Sequence, residues 1–279
     1  MAGSGLLATL LWDSPLLTPL KWITVLVHEM WHGGASMLAG AHLDRIVLHA
    51  SESGETFVTG LTSATGFAIA VSSGYLGSTA TGALLLNRGL SGRFERLTLF
   101  IFASVLFYMS FLFTEPGSLA YFTGMGWAAL LILMAPLRTT ARYTLIIIGT
   151  LFVWYCLYDM FDFARDIRKT DAGILAAYLE KTGRVSGGSE TWICFIWLTS
   201  MLVLLFFILK PVLRKAPSPP APVPVFEPNP QFPGAITPEV QEWFLMNGFD
   251  PEGRPLDPAG MELRETGLAG NEGNTIHSP

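Results

Sequence analysis

Leu16-Leu-Thr-Pro-Leu-Lys21-Trp-Ile-Thr-Val-Leu-Val-His28-Glu29-Met-Trp-His32-Gly-Gly-Ala-Ser-Met-Leu38 has the length and apolar character of a membrane helix, yet carries four ionisable side chains. In a helix, residues i and i+4 lie a turn apart on one face, so the imidazoles of His28 and His32 can reach one point. Glu29 follows the first histidine by one residue, which swings its carboxylate to the side of that point. Zinc accepts such ligands and leaves a position open for water, and a neighbouring glutamate can take that water's proton. A charged group at mid-bilayer costs roughly 2.5–3.5 kcal/mol on insertion scales. Three adjacent ionisable groups in one span therefore point to chemistry rather than packing.

The rest of the chain sets this helix in a bilayer. Of 279 residues, 51 % are hydrophobic and 14 % charged, and the mean hydropathy is +0.44. A typical soluble domain carries roughly 25 % charged residues. A window of about 19 residues finds six spans: Leu16–Leu38, Ser63–Leu86, Leu97–Phe113, Leu119–Leu137, Tyr143–Asp159 and Thr191–Leu209. The expected fold is an all-α, multi-pass integral membrane protein with about six transmembrane helices. Lys and Arg near the span ends favour cytoplasmic termini. The net charge of −5 and the lack of a basic stripe exclude a nucleic-acid binder. Cys156 and Cys194 both lie in apolar runs, which excludes a disulfide framework or a cysteine zinc site.

Between the first two spans, Leu43–His49 and Glu55–Thr59 flank a Gly-containing turn and predict a small β-hairpin. Asp171 to Thr182 predicts a short helix on the membrane surface, stopping at Gly183. The division is an N-terminal segment 1–15, a membrane domain 16–210 and a Pro-rich, mostly disordered tail 211–279. Within the tail, Thr237–Gly248 predicts a helix whose Val240, Trp243 and Phe244 share a face that could dock on a partner or the membrane. In the second span Gly66, Ala70, Gly74, Ser78 and Gly82 recur every four residues, a stripe that lets the first two spans touch.

A catalytic zinc wants a third protein ligand. His42 and His49 fall in the hairpin and His277 in the tail. Asp159, Asp162 and Asp166, spaced i, i+3, i+7, place carboxylates on one helix face at the end of the fifth span. Asp159 is the favoured ligand. Asp162 is an alternative, or a partner that holds a histidine tautomer. Asp166 reads as a solvated helix end.

At these residues the chain resembles the site-2 protease family of intramembrane zinc metalloproteases, and within it the compact B-like branch. The resemblance rests on His28–His32, the Gly-led hairpin from Gly40 to Thr59, Gly74-Tyr75-Leu76-Gly77, Asp159-Met-Phe-Asp162 and, further on, Thr170-Asp171-Ala172. It covers about residues 16–210 and excludes the tail. It implies that His28 and His32 bind Zn²⁺, that Glu29 is the general base, and that an aspartate from the later helix is the third ligand. The implied reaction is hydrolysis of a peptide bond in or near the transmembrane segment of a membrane protein substrate, held as a strand by the hairpin. The Asn-Pro…Leu-Asp-Gly sequence of many members is missing here. Leu256-Asp257-Pro258 lies in the tail and does not replace it.

Two rivals are a catalytically inactive scaffold of the same fold that binds partners, and a transporter. A transporter expects ionisable residues in several spans or paired broken helices, whereas here the strongest cluster is one HExxH. The zinc endopeptidase is the preferred reading.

Overall fold

Pro19, in a first turn where its missing N–H costs no hydrogen bond, opens helix α1 (Thr18–Leu38) in the computed structural model of the chain. The structure describes residues 14, 15, 17–162, 167–185, 187–214, 238–247 and 249. After α1 come β1 (His42–Leu48), β2 (Gly54–Thr59), α2 (Ala64–Ser91), α3 (Glu95–Phe113), α4 (Leu119–Met134) and α5 (Arg138–Asp162). A 3-10 turn (Ile167–Lys169), α6 (Asp171–Lys181) and α7 (Ser189–Leu213) complete the first unit, which ends at Lys215.

The fold is mostly helical with one small antiparallel sheet, as expected. All six predicted spans fall on helices, but four of these, in α2, α3, α5 and α7, are long and apolar enough to cross a membrane. The 16 residues of α4 rise only about 24 Å, short of a hydrocarbon core of roughly 30 Å. Helix α1 has the length, at 21 residues, but its ionisable groups break the apolar surface, and Lys21 and Glu29 are buried against protein. The reverse holds for α3 and α7, where Phe100, Phe111, Phe195 and Phe206 are exposed. Apolar side chains turned outward on an apolar helix suit lipid.

Helix α2 is the axis of the first unit, packed against α1, α5 and α7. Its small-residue stripe does bring the first two helices together: a Cβ on Gly66 would lie 3.1 Å from the Ala39 Cβ, and beside the stripe one on Gly77 would collide with the Trp31 ring. Towards its far end α2 turns the same kind of surface to α5. A Cβ on Gly149 of α5 would lie 2.5 Å from the Leu86 nitrogen and 2.7 Å from the Gly82 oxygen. Small residues are needed there for the two backbones to approach. Ile23, Leu26, Leu43, Ile46, Leu99 and Phe152 belong to one buried cluster that joins α1 and the hairpin to α3 and α5. Tyr75, Leu175, Trp197 and Met201 belong to a second, around α6 and α7.

The hairpin forms at the predicted place. His42 pairs with Thr59 and Leu48 with Gly54, with a register shift between Leu43 and Arg45. Leu43, Ile46 and Leu48 are buried, which anchors β1, while β2 is the second strand of a two-stranded sheet. Its outer edge has no strand partner among the described residues.

Helix α6 also forms as predicted and stops at Gly183, whose φ of 67° suits a helix end. It packs against α2 and α7 with Ala172, Leu175 and Ala176 buried. This seating leaves its first residue, Asp171, half-buried and turned towards α1. The second unit, Ala216–Pro279, carries helix α8 (Pro238–Met246), in which the Trp243 and Phe244 rings lie 5.5 Å apart. The predicted cap Thr237, the stop Gly248 and the Pro-rich run lie outside the described residues.

Candidate metal centre

His28 and His32 lie on the face of α1 that meets α2, and their rings stand edge to face, 4.6 Å between centroids. The two Nε2 atoms are 2.9 Å apart. The Asp171 Oδ2 lies 3.0 Å from the His28 Nε2 and 3.2 Å from the His32 Nε2. The three side chains form a group able to hold a metal ion, assembled from helices more than a hundred residues apart.

The sequence reading favoured Asp159 as the third ligand, but the carboxylate that meets the histidines is Asp171. Asp159 ends up beside them, and its Oδ2 accepts the Tyr75 hydroxyl at 2.6 Å. Asp162 closes α5, and its side chain lies outside the described residues, as does Asp166. The reason is one of packing. The chain leaves α5, turns, and drives the N-terminal end of α6 under α2. The sequence places Asp171 at the start of a surface helix, away from the favoured acids of the fifth span. The signal available was an acid at the first turn of an amphipathic helix, a place where it also complements the helix dipole.

Burial alone would push the Asp171 carboxyl up, yet His28 and His32 beside it hold it well below the usual carboxylate range. The His32 Nδ1–H donates to the Ala70 carbonyl at 2.8 Å, which leaves the lone pair of neutral His32 on Nε2, facing Asp171. A carboxylate oxygen and imidazole lone pairs aimed at one shielded point need positive charge between them. Zinc bonds of about 2.0–2.1 Å at tetrahedral angles set ligand atoms about 3.3 Å apart. The three observed separations come close to that, so the donor set fits the ion in chemistry and in span.

Three residues predicted for other reasons prove to shape the centre. Gly74 lies so close that a Cβ there would collide with both Nε2 atoms. The Tyr75 ring stands edge to face with His28 at 4.5 Å and stacks on Trp197 at 5.8 Å. Ala70, from the same stripe, supplies the carbonyl that orients His32.

Glu29 is buried, and the hairpin is what buries it. The Thr56 hydroxyl of β2 lies 2.7 Å from the Glu29 Oε2 and 2.9 Å from the Glu29 carbonyl oxygen. A Cβ on Gly54 would lie 2.5 Å from the Glu29 Cγ. The hairpin turn is tied down in turn by Lys21, whose Nζ donates to the Glu52 Oε2 at 3.0 Å. Two cavities border the cluster, one of about 350 Å³ between β2, α2 and α6, the other of about 230 Å³ towards Tyr75, Tyr155 and Asp159. Glu29, Gly54 and Asp171 line both. Either has room for several waters at about 30 Å³ each.

The chain belongs to the M50B-like peptidase family, whose model matches residues 2–208. That is the site-2 protease group to which the motifs pointed. No curated protein and no solved structure matches it. With the family and four helices long and apolar enough to cross a membrane together, the protein is a multi-pass integral membrane protein.

Proposed function

We propose that the protein is a zinc-dependent intramembrane endopeptidase that cuts a peptide bond in or beside the transmembrane segment of a membrane protein substrate. The observation that carries this reading is the meeting of two helix-borne imidazoles and Asp171 at one point, with Glu29 next in sequence to the first imidazole. His28, His32 and Asp171 are the ligands. Zinc, when bound, supplies Lewis acidity that polarises a scissile carbonyl and acidifies water. Glu29 takes the attacking water's proton and passes it to the departing amine.

A helical substrate hides its amide bonds, and the open edge of β2 beside the larger cavity suits an extended segment that gains main-chain hydrogen bonds there. In this reading α1 and α4 also lie within the bilayer, making six spans, with the ionisable face of α1 turned to protein.

The test is made on purified protein in detergent, with a single-span fluorescent substrate carrying a Gly-Pro break in its membrane segment. We expect about one zinc per chain, cleavage by the wild type, and no cleavage by Glu29→Gln with zinc retained. Full activity of Glu29→Gln would refute its role as base. Stoichiometric zinc with no cleavage by the wild type would favour the inactive scaffold.

A further inference from the structure

We infer that Thr56 is a positioning residue for Glu29, so that the strand offering its edge to the substrate also sets the attitude of the base. The inference rests on the proposed peptidase reading. Glu29 has three rotatable side-chain bonds, and its place on α1 directs the carboxylate only roughly. Its conformer is chosen by β2, whose alternate residues 54 and 56 point to one face. Gly54 leaves the space that the Glu29 side chain occupies, since a Cβ there would lie 2.9 Å from both Cδ and Oε1. Thr56 holds the other carboxylate oxygen at 2.7 Å.

The hydroxyl has a single proton to give, and the negatively charged Oε2, the nearer acceptor, forms the stronger bond. That bond occupies Oε2 and leaves Oε1, on the Gly54 side, to receive a proton from water. The next residues along the strand, Glu55 and Phe57, face the opposite way and are exposed.

The consequence is a mechanical link. β2 lies between a fixed neighbour and an open edge: β1 is anchored in the core, and the far side faces the cavity. A segment added to that edge would lie along the strand that carries Thr56, so the substrate and the base would be held by one strand.

The test compares Thr56→Val, which keeps the shape and removes the donor, with Thr56→Ser, which keeps the donor. Three quantities are read for each: zinc content, kcat and KM on the Gly-Pro substrate, and affinity for a peptide hydroxamate, which chelates zinc and shares its acidic proton with the base. We expect Thr56→Val to keep its zinc and KM, to lose about 10- to 100-fold in kcat, an effect of the size seen for groups that orient a site, and to bind the hydroxamate about tenfold more weakly. Thr56→Ser should regain most of both. Wild-type values for Thr56→Val would overturn the inference and leave the peptidase reading standing. Loss of zinc, or equal loss in Thr56→Ser, would overturn it by showing that the residue merely supports the hairpin. Full activity of Glu29→Gln would bring down the peptidase reading itself, and this inference with it.

Discussion

The Ala70 carbonyl receives the Nδ1–H of His32 at 2.8 Å, across the contact between α2 and α1. A main-chain group thus sets the tautomer of an imidazole whose other nitrogen faces Asp171. It can do so because α2 is stripped of side chains along this face, from Gly66 through Gly74. Helix packing and imidazole orientation are one arrangement here.

Gly74 is where that arrangement is tightest. A Cβ would lie 2.5 Å from the His32 Nε2 and closer still to that of His28. Gly74→Ala should lower zinc affinity by about 10- to 100-fold while leaving the helical circular dichroism intact. Metal content after dialysis against a zinc buffer measures it.

Asp171 and Asp159 can be separated by the same assay. Asp171→Ala should leave the protein without stoichiometric zinc, because it removes one of the three atoms proposed to hold it. Asp159→Asn should keep the zinc, since its carboxylate bonds to the Tyr75 hydroxyl rather than meeting the two Nε2 atoms. The opposite pattern would return the third-ligand role to Asp159.

Tyr75 offers a ring to His28 and a hydroxyl to Asp159. Tyr75→Phe preserves the ring and should retain zinc. Tyr75→Ala removes the wall against which His28 is held and should weaken zinc binding by about tenfold or more. Titration with a competing chelator distinguishes the two.

The crossing of α2 and α5 makes a prediction about stability alone. Gly149→Ala would push a methyl into the backbone of Gly82 and Leu86 and should cost about 1–3 kcal/mol, the usual range for overpacking. Gly126→Ala, with nothing within 4 Å of its Cβ, should be nearly neutral. Thermal unfolding in one detergent, measured side by side, checks the contrast.

The elements legible in the sequence are those that local geometry controls. The i, i+4 spacing of His28 and His32 is a property of one helix, the hairpin follows from two short runs and a turn, and the stop of α6 at Gly183 follows from a left-handed φ. The apolar runs located every long helix. Four of those helices are long and apolar enough to cross a membrane, while α1, sheltered by its neighbours, keeps a polar face that a lone span cannot.

The site as a whole was another matter. The sequence alone determined that two histidines and a glutamate share one apolar helix. Tertiary structure decided which acid joins them, since Asp171 is 143 residues from His28 and competes with Asp159, which no spacing rule separates from it. It also decided that Thr56, 27 residues from Glu29, bonds to its carboxylate. Contacts of that range depend on where helices stop and which faces lack side chains, and those are settled only when the chain packs.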